Sequence, residues 1–169
     1  LYVPATHFYD DFSQVDVAAF SEDSCRTTER LFTLLGWKYK DSAEHLRLPS
    51  QAFSPLGVEM NFAEPGHVIV SNTAKRKERI LYDIASLKVA PTIQASSLHS
   101  LLGVCTYAES QTSGRTGAMI LHEVRNASRS SDQSSQDRLF KALDNLASYV
   151  DRVRPRRIRL KAQLPPIIT

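Results

Sequence analysis

The chain has 169 residues, of which 42% are hydrophobic and 23% are charged. These values lie close to the averages for globular proteins, and they exclude a disordered chain, a collagen-like fibre and a small disulfide scaffold. Residues 1–70 carry five Lys/Arg against ten Asp/Glu, a net charge of −5, whereas residues 71–169 carry sixteen against eight, a net charge of +8. The basic half favours a polyanionic partner, although two solvated surfaces of opposite charge explain the same division.

Targeting signals and membrane-spanning patterns are lacking. No apolar run approaches the ~20 residues of a membrane span, and no signal-peptide pattern is present. Cys25 and Cys105 have neither metal-type nor redox-type spacing, which fits a reducing compartment. We therefore expect an intracellular location, in the cytoplasm or the nucleus, and no membrane partner. The chain begins at Leu1 and ends in an apolar run, so we also expect it to be cut from a longer protein.

The first predicted elements are a hairpin and a helix. Residues 1–17 favour strands through their aromatic and branched side chains, and Asp10-Asp11 interrupts them. This pattern predicts a hairpin with two carboxylates at or beside its turn. Residues 21–36 follow as a helix, with Ser21 as its N-cap. The apolar stripe of that helix consists of Phe20, Cys25, Thr28, Leu31, Leu34 and Leu35.

An extended segment precedes the helical half of the chain. Residues 46–72 alternate with a period of about two and contain turn residues at 64–67, which predicts a second hairpin. Asn72 then caps the first of four amphipathic helices. The predicted helices span residues 73–87, 92–108, 114–125 and 136–153. In the basic stretch 154–161, residues 157–160 alternate like an edge strand.

Together these elements predict an α+β fold. The front of the chain is sheet-like with one helix, and the back is helical and basic. The boundary falls near residue 71, where the sign of the net charge also changes.

The pair Asp10-Asp11 is the strongest chemical signal. Two adjacent carboxylates on a tight turn repel each other, and a divalent cation relieves that repulsion. Mg²⁺ is bound through one or two carboxylates together with phosphate oxygens, and two such ions hold the attacking and leaving oxygens of a phosphoryl transfer. An ordinary surface turn explains the same dipeptide, because Asp is a favoured turn residue.

The ordered elements around this turn resemble the second half of a reverse transcriptase. In that family a Tyr-x-Asp-Asp turn of the palm subdomain binds the catalytic Mg²⁺ ions. The matching residues here are Phe8-Tyr9-Asp10-Asp11. Phe8 occupies the usual Tyr position and lacks its hydroxyl.

Three later segments carry the same resemblance in the family's order. Phe53–Val58 is similar to the hairpin known as the primer grip, with two residues inserted. Residues 98–103 and 111–115 are similar to the Leu-x-x-Leu-x-Gly and Gln-x-x-Gly-Arg motifs of retrotransposon enzymes, in the helical thumb that follows the template–primer duplex. Residues 156–169 resemble the approach to an RNase H-like domain.

The resemblance implies a division of the chain and an activity. Residues 1–71 would be the last part of a polymerase palm, 72–153 a helical thumb, and 154–169 a connector to a covalently linked RNase H-like domain. The parent would be the RNA-directed DNA polymerase of a eukaryotic retroelement, which joins deoxynucleoside triphosphates on an RNA or DNA template–primer with two Mg²⁺ ions. The family needs a further palm Asp, which would lie before Leu1, and its fingers. We therefore expect no primer extension from these 169 residues alone.

The resemblance also implies roles for individual residues. Asp10 and Asp11 would bind the metal ions. A lysine after the first helix, Lys38 or Lys40, would lie near the leaving pyrophosphate, and we assign this role to Lys40. The residues expected to contact nucleic acid are Phe53, Leu56, Gly57, Lys75, Arg76, Gln111, Gly114 and Arg115.

Each of these features also has an ordinary structural explanation. Lys38 and Lys40 fit a solvated strand edge, and the Ser113-Gly114 pair fits a connection between helices. The cations early in the helix after residue 72 oppose its dipole, which suggests either phosphate contact or a solvated face. A noncatalytic nucleic-acid-binding module and an α+β interaction domain therefore remain alternatives to the polymerase.

Overall fold

A computed structural model of the chain describes residues 5–8, 11–38, 50–114, 116–129 and 133–160. Within these ranges the chain forms an α+β fold with five α-helices and six strands, which confirms the predicted fold class. The helices are α1 (Ser21–Leu34), α2 (Ala74–Val89), α3 (Ala95–Thr112), α4 (Ala118–Ala127) and α5 (Gln133–Arg152). The strands are β1 (Ala5–Phe8), β2 (Asp11–Gln14), β3 (Ala52–Phe53), β4 (Val58–Asn61), β5 (His67–Asn72) and β6 (Arg156–Arg159).

The N-terminal hairpin has the predicted position. Strands β1 and β2 pair antiparallel, from Ala5 opposite Gln14 to Phe8 opposite Asp11. The helix α1 follows after a short 3-10 helix at Ala18–Phe20. The prediction of Ser21 as N-cap is wrong: Ser21 is the first residue of α1, because the 3-10 helix already leads into it.

The apolar stripe of α1 is largely exposed. None of the residues described between Gln14 and Lys38 is buried. Leu34 is 85% exposed, and Leu31 and Leu35 are exposed by half or slightly more. One contact between α1 and β2 is a hydrogen bond of 2.8 Å from Thr28 Oγ1 to Gln14 Oε1. The amphipathic pattern therefore predicted the helix correctly, but its stripe does not enter the core formed by the described residues.

The second sheet has four antiparallel strands in the order β3-β4-β5-β6. Strands β4 and β5 form the predicted hairpin, with Val58 opposite Asn72, and β6 pairs with β5 so that Ile158 lies opposite Val68. Strand β6 is the predicted edge strand, displaced by one residue. This pairing joins β6 to the hairpin through backbone hydrogen bonds.

The four later helices surround the main hydrophobic core. Its most deeply buried members include Ile80, Leu101, Val124, Leu143 and Leu146, at most 2% exposed. They come from all four helices, since the apolar positions recur every three or four residues and so form one buried face on each. A smaller cluster of Val58, Val68 and Val70 lies in the sheet, against which α3 packs.

Three of the helix boundaries that differ from prediction have an evident physical reason. Thr73, not Asn72, caps α2: its Oγ1 accepts a hydrogen bond of 3.3 Å from the Arg76 amide, while Asn72 is the last residue of β5. Helix α3 continues to Thr112 because its buried face extends that far. Helix α4 begins at Ala118 because Gly114 adopts a left-handed φ of +63°. No helix in the described ranges is long and apolar enough to cross a membrane.

Candidate nucleic-acid interface

A basic groove lies where the end of α3, the start of α4, the last turns of α5 and the start of β6 meet. Its volume is about 860 Å³. The lining residues are Ser113, Gly114, Thr116, Ile120, Asn145, Ser148, Tyr149, Arg152, Val153, Arg154 and Arg156. The groove therefore combines the predicted contact residue Gly114 with the arginines of the basic stretch, which prediction had placed in two different segments.

The charge of the groove comes from Arg152, Arg154 and Arg156. All three are exposed, and no carboxylate in the described part of the chain forms an ion pair with them. A methyl group added at Gly114 would lie 3.0 Å from Arg156 Nη1, so the two residues are immediate neighbours. Three uncompensated guanidinium groups on one concave surface attract phosphate, whose oxygens match their forked donors.

A buried carboxylate fixes the helices that form the groove. Glu109 of α3 is only 7% exposed. Its Oε2 accepts a hydrogen bond of 2.7 Å from Tyr149 Oη in α5, and its Oε1 accepts one from the Gly117 amide before α4. Burial, together with the Glu109 carboxylate, raises the pKa of Tyr149 to about 12. A side chain at Gly117 would overlap the Tyr149 ring, since a Cβ there would lie 2.6 Å from Cε1.

Arg76 is engaged inside the fold rather than directed to solvent. Its guanidinium donates to Asn72 Oδ1 at 3.2 Å, to Gln111 Oε1 at 3.0 Å and to the Leu56 carbonyl. It also lies over the Tyr107 ring, 5.5 Å from the centroid. Burial lowers the pKa of Arg76. The structure thus brings together three predicted contact residues, Leu56, Arg76 and Gln111, through one side chain.

The loop resembling a primer grip has an unusual backbone. Leu56 and Gly57 adopt left-handed φ values of 50° and 77°. A Cβ at Gly57 would lie 2.7 Å from Arg76 Nε and Nη2, so glycine is needed there for the close approach of the guanidinium. The Phe53 ring stacks on Phe62 with a centroid distance of 6.1 Å. The loop and α2 are therefore held together by Arg76.

The remaining predicted cations differ in their surroundings. Lys75 is exposed at the start of α2, as predicted for a phosphate contact or a solvated face. Lys77 Nζ donates to the Asp151 carbonyl at 3.1 Å, and Arg157 forms an ion pair with Glu64. Two cations of the basic half, Lys77 and Arg157, therefore have partners within the fold.

The predicted catalytic residues lie mostly beyond the described part of the chain. Asp10 and Lys40 are outside the described residues, and so is the side chain of Asp11. Arg115, predicted as a nucleic-acid contact, also lies outside them. The backbone of Asp11 begins β2 opposite Phe8, so this member of the acidic pair lies at the start of the second strand of the hairpin. Lys38 is exposed after α1.

The carboxylates of Asp10 and Asp11 are of the type that binds Mg²⁺. Proteins usually bind Mg²⁺ through one or two carboxylates together with phosphate oxygens, and two adjacent Asp residues supply such carboxylates. Elsewhere, the described residues contain no group of three His, Cys, Asp or Glu side chains that could hold a metal ion. The acidic pair is therefore the candidate that the sequence supplies.

Sequence reasoning missed Glu109, Tyr149 and Asn72 as structural elements of the site. A signal for Glu109 was present, since it lies four residues after Cys105 and three before Thr112, on the apolar face of α3. A carboxylate on a buried face needs partners. The partners themselves, 40 residues away for Tyr149, could not be identified from local spacing.

Comparison of the chain with protein-family models, with curated proteins and with solved structures finds no match.

Proposed function

We propose that the chain contains the last part of the palm, the thumb and the connector of an RNA-directed DNA polymerase, and that its basic groove holds the backbone of the template–primer. One observation carries the nucleic-acid part of this proposal. Gly114 lies beside Arg156, with Arg152 and Arg154 in the same groove, and no described carboxylate neutralises them.

The chemistry of the groove fits phosphate backbone better than a folded protein partner. Arginine side chains and hydroxyl and amide groups such as Ser113, Thr116 and Asn145 are typical donors to phosphate oxygens. Such contacts position a duplex without reading its bases, as template-directed synthesis on any sequence requires. Gly114 allows the backbone of a ligand to approach closely.

The catalytic part of the proposal rests on the acidic hairpin and on the order of elements after it. Asp10 and Asp11 would hold Mg²⁺, and the ion would supply electrostatic stabilisation for the attacking and leaving oxygens of nucleotidyl transfer. Lys40, or Lys38 in its place, would stabilise the negative charge that develops on the leaving group. The sheet and the helices follow the hairpin in the order that the resemblance predicts.

Salt-dependent binding tests the groove. A fluorescent RNA–DNA hybrid is titrated with the chain between about 50 and 200 mM salt, and the slope of log affinity against log salt is measured. Replacing Arg152, Arg154 and Arg156 by Gln should lower affinity and reduce the slope by about 2.7, since each lost duplex phosphate contact changes it by about 0.9.

A matched control removes the same charge elsewhere. Arg30, Arg138 and Lys141 are exposed and do not line the groove. Their replacement by Gln should leave most of the slope intact. An equal loss in both triple variants would mean that net charge alone drives binding, and it would overturn the groove as the site.

Manganese tests the acidic hairpin and separates the polymerase from a noncatalytic binding module. With the hybrid bound, paramagnetic Mn²⁺ should broaden the NMR signals of β1 and β2. Replacing Asp10 and Asp11 by Asn should abolish that broadening while hybrid binding persists. Broadening that is absent from the native chain, or unchanged in the double variant, refutes the catalytic assignment and leaves a binding module.

A further inference from the structure

The Gln111 amide has a defined orientation. Its oxygen accepts a hydrogen bond of 3.0 Å from Arg76 Nη1, and a guanidinium carries only donors. The oxygen of the amide must therefore face Arg76, and the amide nitrogen must face the other way. Among the described residues no acceptor is paired with this nitrogen, and Gln111 is half-exposed.

Building on the proposed function, we propose that Arg76 is a positioning residue that presents the Gln111 amide nitrogen as a hydrogen-bond donor to the nucleic-acid backbone. Gln111 lies three residues before Gly114, in the last turn of α3 that leads to the basic groove. Arg76 thus acts on the ligand through Gln111 and does not touch it.

The contacts of Arg76 favour this role over direct phosphate binding. Three of its five N–H donors are already assigned to Asn72, Gln111 and Leu56, and its side chain is half-buried over the Tyr107 ring. A phosphate would have to displace these partners. The guanidinium is better suited than a lysine ammonium to hold them, because its planar fork reaches several acceptors at once.

A short chain of hydrogen bonds continues from Asn72 to the edge of the groove. Asn72 Nδ2 donates to Thr112 Oγ1 at 3.3 Å, and Thr112 Oγ1 lies 3.2 Å from Ser113 Oγ, which lines the groove. The same Asn72 accepts from Arg76. The last turn of α3, including Gln111, is therefore fixed on two sides by residues of the β5–α2 junction.

The test compares affinity with the salt slope for the RNA–DNA hybrid. Gln111→Met keeps the size of the side chain and removes its donor, so affinity should fall by about 10-fold or more, the value of a hydrogen bond to a charged acceptor. The slope should not change, because no phosphate contact with a cation is lost. Gln136→Met, at an exposed glutamine of α5, is the matched control and should bind like the native chain.

Variants of Arg76 show whether it acts through Gln111. Arg76→Met should lower affinity no more than Gln111→Met does, with the slope unchanged, and the double variant should bind no more weakly than Gln111→Met alone. Arg76→Lys keeps the charge but not the fork, and it should not restore the native affinity. Circular dichroism and thermal melting identify any variant that has not folded, and in that case Arg76→Lys and Gln111→Met still decide the question.

The outcomes separate this inference from the proposed function. If the native chain shows no salt-dependent binding, the proposed function fails. If the native chain binds but Gln111→Met binds equally well, the positioning role fails alone. A slope reduced by about 0.9 in Arg76→Met, with binding restored by Arg76→Lys, would identify Arg76 as a direct phosphate contact and would also overturn the inference.

Discussion

Replacing Glu109, a buried carboxylate of α3, by Ala should destabilise the helical half of the chain. Glu109 is 7% exposed and accepts from Tyr149 Oη at 2.7 Å and from the Gly117 amide. Its loss removes the acceptor that both donors share at a junction of three helices. The junction forms one wall of the basic groove, so stability and binding should change together.

The magnitude follows from the two donors. An unsatisfied buried polar group costs about 1–3 kcal/mol, so two donors set an upper range of about 2–6 kcal/mol. Two effects reduce this cost. The variant no longer buries a carboxylate, and a cavity of about 20 Å³ lined by Glu109 and Ser113 has room for about one water molecule that can pair with the freed donors. We therefore expect the free energy of unfolding to fall by about 2–4 kcal/mol.

Urea denaturation followed by circular dichroism measures this change. The midpoint should fall while the m-value stays constant, because the surface exposed on unfolding is nearly the same. Glu123→Ala, at an exposed Glu of α4, should change stability by less than about 0.5 kcal/mol. Tyr149→Phe should lower the free energy of unfolding less in the Glu109→Ala variant than in the native chain, because the hydrogen bond between the two residues is already lost. A loss below about 0.5 kcal/mol for Glu109→Ala would refute the assigned role of the buried carboxylate.

Three further measurements test the packing and the ionisation. Leu143→Ala removes a side chain that is 0% exposed at the centre of the core and should cost about 2–5 kcal/mol in urea denaturation. Leu34→Ala, at a position 85% exposed on α1, should change stability by less than about 0.5 kcal/mol, and a larger loss would mean that this face is covered. Burial raises the pKa of Tyr149 from 10.0 to about 12, so the stability that it contributes is complete below pH 10 and is lost as the pH rises to 12. Tyr149→Phe should reduce this alkaline loss of the free energy of unfolding by about 1–2 kcal/mol, after allowance for partial exposure of the ring. Burial also raises the pKa of Cys105 to about 12, so this thiol accounts for a separate part of the loss that begins near pH 9.

The regular elements could be predicted because each depends on residues close in the sequence. Apolar positions three and four residues apart predicted the five α-helices described, and alternation predicted the edge strand 156–159 within one residue. The helix ends were less predictable, because Asn72 and Thr73 are both good caps and the choice depends on the strand that precedes them. Asn72 is the last residue of β5, so Thr73 is the N-cap of α2.

The candidate site depends on contacts between distant residues, which local patterns do not specify. Arg76 meets Leu56 and Gln111, 20 and 35 residues away, and these distances in sequence hide the contacts from any spacing argument. Sequence reasoning selected all three residues, but for contact with a ligand rather than with one another. The contacts among these three residues therefore became visible only in the fold.

The charge division of the sequence gives a further quantitative test of the groove. Six basic residues lie between residues 152 and 161, and if each met a duplex phosphate the salt slope would be about −5.4. Arg157 is paired with Glu64, whereas Arg152, Arg154 and Arg156 line the groove, so three contacts predict a contribution of about −2.7. A contribution near the larger value would mean that the basic stretch binds as an unstructured cationic segment. A contribution near the smaller value would mean that the fold selects which cations meet the phosphates, because a residue that already holds a carboxylate releases no counterion on binding.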